Sequence, residues 1–116
     1  MTLEELKTRC EAQGFSYAYG EFKDYTDPPY LVAYANSSTN FIADTVVYKK
    51  ITTIQLDYVF SNKDINEQNK IEDIILSDVA WDKSDETYLE DQNVWQVSYF
   101  FEIIGGGKEW ERYYMV

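Results

Sequence analysis

The chain has 116 residues, 45% apolar and 17% aromatic, with a net charge of −11; that is one domain's length and far too much apolar surface for a disordered chain. It contains no His and a single Cys, which excludes an intrachain disulfide framework, His-dependent nucleophile activation and a tetrahedral zinc site. Twenty-one acids against ten bases argue against direct, phosphate-led binding to nucleic acid, which relies on clustered Lys and Arg.

Thr2 and Glu5 have the spacing of a capping box, and Leu3, Leu6 and Cys10 recur at helical spacing before Gly14. This predicts a first helix over about 3–13 with Cys10 as a buried apolar position. From Phe15 the period changes to two, predicting a strand over 15–23. Pro28 and Pro29 break it at "DYTDPPY", and "YLVAYAN" (30–36) reads as a second strand. Ser37, Ser38, Thr39 and Asn40 can bond their own backbone, which predicts a polar turn leading into the next segment. Val46 to Phe60 is the longest β-rich stretch, with Ile54, Leu56, Tyr58 and Phe60 on one face and Thr53, Gln55 and Asp57 on the other.

A second amphipathic helix is predicted from Asn62–Asp64 to about Leu76, with the stripe Ile65, Ile71, Ile74 and Ile75 interrupted by Gln68. A short segment at "VAWD" and an acidic turn at "KSDE" lead to a strand from Val94 to Ile103, in which Trp95, Val97, Tyr99, Phe101 and Ile103 share a face. With "KEWERYYMV" counted as a last strand, the order is α-β-β-β-α-β-β. The expected fold is α+β, a two-layer sandwich of two helices on a mostly antiparallel sheet. Residues 1–104 form the single domain, and 105–116 a Gly-linked C-terminal arm or extra strand.

Few motifs carry chemistry. "GGGK" at 105–108 fails as a phosphate loop: Glu102 stands where the upstream Gly belongs, and Glu109 follows the Lys. Asp78, Asp82, Asp85 and Glu86 lack the alternation and central Gly of a calcium loop and read as a solvated turn, while Asp24 and Asp27 introduce the turn at the Pro pair. A hydrolytic carboxylate pair has no identifiable members. The expectation is a non-enzyme with no cofactor and no metal. The polar N-terminus predicts no secretory leader, and no apolar run nears the ~20 residues of a membrane span, so a soluble protein made in a cytoplasm is expected. The aromatic load points to contact surfaces. Tyr30, Phe41, Tyr48, Trp110, Tyr113 and Tyr114 lie in or beside loops or the tail, with ordinary core or edge packing as the alternative for each. Asp44 has no chemical partner to name and is read, with Phe41, as a contact or loop-pinning residue.

"PPYLVAYANSSTNFIADTVVYKKITTIQLDYVFSNKD", then an acidic amphipathic helix and "WQVSYFFEI", resembles the neck and tail-completion proteins of long-tailed phages and prophages. The matching features are Pro29-Tyr30 entering a strand, Ser37 and Ser38, Phe41-x-Ala43-Asp44, Tyr48, and the β-run 52–60 ending in "SNKD". The resemblance covers about residues 1–103; "GGGKEWERYYMV" lies outside it. It implies a tail terminator, or tail-to-head joining protein: an α+β subunit that assembles as a hexameric ring, caps the tube of major tail protein and presents a surface to the head-completion proteins. It implies no catalytic residues, assembly in the host cytoplasm and a final place in the virion neck. The alternative, from a different class, is an acidic inhibitor or nucleic-acid mimic that binds a basic host protein.

Overall fold

A computed structural model of the chain describes residues 1–43 and 46–105, with side chains described up to Asn36 and over 51–103. The first helix, α1, spans Leu3–Ala12. Thr2 caps it, its Oγ1 accepting from the Glu5 backbone N–H at 3.1 Å. Only that half of the predicted box forms; the Glu5 carboxylate instead reaches Arg9 one turn on, at 3.5 Å. Gly14 ends the turn at φ +85°, a conformation that side-chain-bearing residues rarely adopt.

Among the described residues six strands follow: β1 (Ser16–Tyr19), β2 (Tyr30–Ala43), β3 (Val46–Phe60), β4 (Trp81–Lys83), β5 (Thr87–Leu89) and β6 (Val94–Gly105). Between β3 and β4 lies helix α2, Ile65–Lys70, continued by a π-helical turn over Ile71–Ile75. The sheet order is β1-β2-β3-β6-β4, with β5 also on β6. All pairings are antiparallel except β1 with β2. This is the expected α+β fold, with two short strands, β4 and β5, preceding the long β6.

One face of the sheet is apolar because two-residue periodicity in β2, β3 and β6 is in register. Leu31 pairs with Tyr58, Ala33 with Leu56, Leu56 with Tyr99 and Tyr58 with Val97. These residues join Leu3, Leu6 and Cys10 of α1, and Ile71, Ile75 and Leu76 of the second helical segment, in a single core cluster. Trp95 shares the face by register but lies at the strand's start, 39% exposed and tilted against Tyr88.

Two expectations are corrected here. The SSTN stretch is not a turn: β2 runs through Ser37–Asn40 to Ala43, Ser37 pairing with Thr53 and Asn40 with Lys50. The long β-branched run of β3 offers a ladder that outcompetes the local side-chain bonds those residues favour. The stripe of the second helix is also out of phase. Gln68 is buried with Ile71 and Ile75, whereas Ile65 is 64% and Ile74 48% exposed. The Leu76 N–H bonds to the Ile71 carbonyl, five residues back, at 2.9 Å. This wider turn brings Ile75 over Ile71 and rotates Ile74 outward. Ile65 opens the helix, directly after the cap Asp64. The predicted last strand at "KEWERYYMV" lies outside the described residues.

Candidate functional site

The face of the sheet opposite the helices carries a polar network centred on Asp57, which is only 8% exposed. Its Oδ2 accepts from the Tyr34 hydroxyl at 2.9 Å. Its Oδ1 accepts from Gln55 Nε2 at 2.8 Å and from the Ser98 hydroxyl at 2.6 Å. Asn36 Nδ2 donates to Gln55 Oε1 at 2.9 Å, extending the chain of bonds to the β2 edge. Burial first, then the bond to Asp57, pushes the Tyr34 phenol up to about 12. With both oxygens engaged by donors from β2, β3 and β6, Asp57 acts as a clamp across three strands. Asp57→Ala, which orphans those donors, is expected to lower stability by about 1.5–3 kcal/mol, measured by urea unfolding. The sequence placed Asp57 on the polar face but gave no sign that Tyr34 and Ser98 flank it, because that depends on register between distant strands.

On the helix side, Glu72 Oε2 accepts from the Tyr99 hydroxyl and from Lys83 Nζ, both at 2.7 Å. Lys83 also donates to Gln68 Oε1 at 3.1 Å and sits 5.6 Å from the Tyr99 ring centroid. Burial, then the Glu72 bond, raises the Tyr99 phenol well above its ordinary range. Two of the acids read as a solvated run have fixed partners. Lys63 contacts Glu86 at 2.9 Å and holds its carboxyl below the usual range, and Arg9 forks onto Asp78 at 2.7 and 3.0 Å. Arg9 also donates to the Ile75 carbonyl at 3.0 Å, tying α1 to the end of the π turn.

The Arg9 bond holds the Asp78 carboxyl at about 2, against an ordinary 3.8. A depressed value contributes stability above the unfolded value, and that contribution is lost as pH falls through the folded one. Denaturant midpoints are therefore expected to fall as pH drops from about 4 towards 2, and to fall less in Asp78→Asn. Because Asp78 is half exposed, solvent screening keeps the effect small.

Cys10 is fully buried in the core and its thiol is pushed up to about 12 by that burial, which leaves no thiolate to act as nucleophile. A thiol reagent such as DTNB is expected to leave the native protein unlabelled at pH 8 and to react stoichiometrically once it is denatured. Among the described residues no cluster of three metal-ligating side chains occurs, and no helix is long and apolar enough to cross a membrane.

The seven predicted contact residues divide by position. Phe41 pairs with Lys49 and Ile42 with Val47, so Tyr48 is the extra residue of a bulge beside Phe41, at the far end of the β2–β3 hairpin. Tyr30 starts β2, where its ring meets that of Phe22 edge-on at 5.2 Å. Phe41 lies eleven residues along the strand from Tyr30, roughly 35 Å at the usual rise, so they belong to different surfaces. Asp44, Trp110, Tyr113 and Tyr114 lie outside the described residues.

The sheet's edges differ from its centre. β1 covers the outer side of β2 only from Tyr30 to Ala33, and among the described residues nothing pairs with that side over 34–43. On the other margin, β4 and β5 reach β6 only up to Phe101, so 102–105 are likewise open among the described residues. Sequence inspection missed both edges, since they follow from where short strands stop. Among the described residues, the site these elements define is a pair of unlike β edges with a long hairpin. A comparison with protein-family models and with characterised proteins returns no match.

Proposed function

We propose that the chain is a non-enzymatic virion protein, a tail terminator that closes the tail tube as a ring, hexameric on assembly, and joins it to the head-completion proteins. The observation that supports this reading is the pair of unlike edges that are open among the described residues, β2 beyond Ala33 and β6 beyond Phe101. A ring needs a heterologous interface made of two different complementary patches, and open strands meet that need by strand addition between copies. An open edge of this length is a liability to a protein that remains alone. The likeness of residues 1–103 to neck and tail-completion proteins supplies the partners: major tail protein on one side, head-completion protein on the other. The net charge of −11 suits a ring through which DNA passes, because an acidic wall repels the duplex instead of holding it; a ring with a basic lumen would count against that point.

The direct test is deletion of the gene from its parent phage or prophage, followed by electron microscopy of the lysate. Filled heads with unjoined tails, or tails of aberrant length, are expected. Normal virions would overturn the proposal.

A further inference from the structure

β1 and β2 run parallel, so the connection between them returns along the whole length of β1. It does so over residues 20–29, which carry the cis Pro28–Pro29 bond. This connection, the start of β2 and the β5–β6 turn enclose a groove of about 630 Å³. Its floor is apolar: Val32, the buried Val94 and the Tyr30 ring. Phe22 packs edge-on against Tyr30, and Tyr25 is 85% exposed on the wall. Three carboxylates line it, those of Glu21, Asp24 and Asp91, and no lining side chain is cationic. Lysine and arginine partners occupy other carboxylates of the chain, Glu67, Glu72, Asp78 and Glu86 among them; no ion pair joins the three in the groove to a described residue.

We propose that this groove is a docking site for an extended segment of a partner protein that carries an exposed arginine. The physical case is complementarity. An apolar floor takes the segment's backbone and aliphatic carbons, the exposed Tyr25 ring offers a π face to a cation, and the carboxylates receive its charge. Guanidinium suits this arrangement better than ammonium, because its plane stacks on a ring while its fork bonds a carboxylate. An acidic or phosphorylated segment is disfavoured by repulsion from the three carboxylates. The site lies by the start of β2, far from the hairpin tip, and stands whether or not the chain closes into a ring.

The test titrates the full chain with the peptide acetyl-Gly-Arg-Gly-Arg-Gly-amide at low ionic strength, followed by calorimetry and by the ring resonances of the tyrosines. The expected result is binding that perturbs the Tyr25 ring and weakens about tenfold in the double variant Asp24→Asn/Asp91→Asn. Tyr25→Ala, at a mostly exposed position where folding is not at stake, is expected to weaken it several-fold. The charge-matched control Glu11→Gln/Asp73→Asn, on the helical layer, is expected to bind as the parent does. Equal weakening in the two double variants would mean attraction to net charge alone and would overturn the proposal. So would the absence of binding, or equal affinity for the peptide with both arginines replaced by lysine.

Discussion

Truncation of Tyr58 to alanine is expected to cost about 3–5 kcal/mol of folding stability, the range for removing a large aromatic from a packed core. Tyr58 is 1% exposed near the C-terminal end of the central strand. Its ring stacks on Phe60 at 4.9 Å and meets Phe15 edge-on at 5.9 Å. Across the ladder it faces Leu31 on one side and Val97 on the other. The loss therefore reaches both neighbouring strands and the start of β1, and no single neighbour can collapse into the space. Domains of this size have about 5–15 kcal/mol in all, so a fall in melting temperature on the order of 15 °C is expected. Tyr58→Phe separates the ring from its hydroxyl, whose pKa burial, followed by the charges of Glu67 and Asp64, raises to about 12. That variant keeps the packing and is expected to stay within about 1 kcal/mol of the parent. A loss below 1 kcal/mol for the alanine variant, measured by urea unfolding with unchanged slope, would show that the ring does not anchor the core.

The second large effect is expected on assembly instead of stability. Thr39 pairs directly with Ile51, so residues 40–50 can be replaced by Asn-Gly, the two-residue turn whose twist suits a hairpin. The core positions of β3, Ile54 to Phe60, are untouched, and the shortened protein is expected to melt within a few degrees of the parent. Under the assembly reading it loses the outer four residues of the open β2 edge, 40–43, together with Tyr48. Expressed in a deletion strain, it is expected to leave heads and tails unjoined, with joined particles reduced at least about a hundredfold, as an interface losing several kcal/mol would be. Full complementation by the shortened, folded protein would place the contacts elsewhere.

How much of this was legible depended on the distance over which each feature is decided. α1 was readable because a cap, a helical stripe and a terminal Gly lie within a dozen residues. The inward faces of β3 and β6 were readable because alternation is local. What failed was decided at longer range. The strand fate of Ser37–Asn40 rests on β3, the phase of Ile74 on a π turn, and the burial of Asp57 on Tyr34 and Ser98 from two other strands. Of the predicted contact residues, Phe41 and Tyr48 fall beside each other at a hairpin end; Tyr30 falls in the separate groove, which composition could not assemble because its lining comes from three segments.

The central position of β3 also has a consequence for how the chain is made. β3 is complete at Phe60, yet one of its two flanking strands begins only at Val94. At ordinary translation speeds the ribosome needs seconds to supply it. During that interval Ile54, Leu56, Tyr58 and Phe60 belong to a hairpin with one flank open, and the helical residues that will cover them have no finished surface to settle on. A nascent chain in this state presents the features that chaperones bind: apolar surface and an unpaired strand. Synonymous changes that slow synthesis between 61 and 94 are therefore expected to lower the yield of folded protein without altering a single contact of the finished molecule.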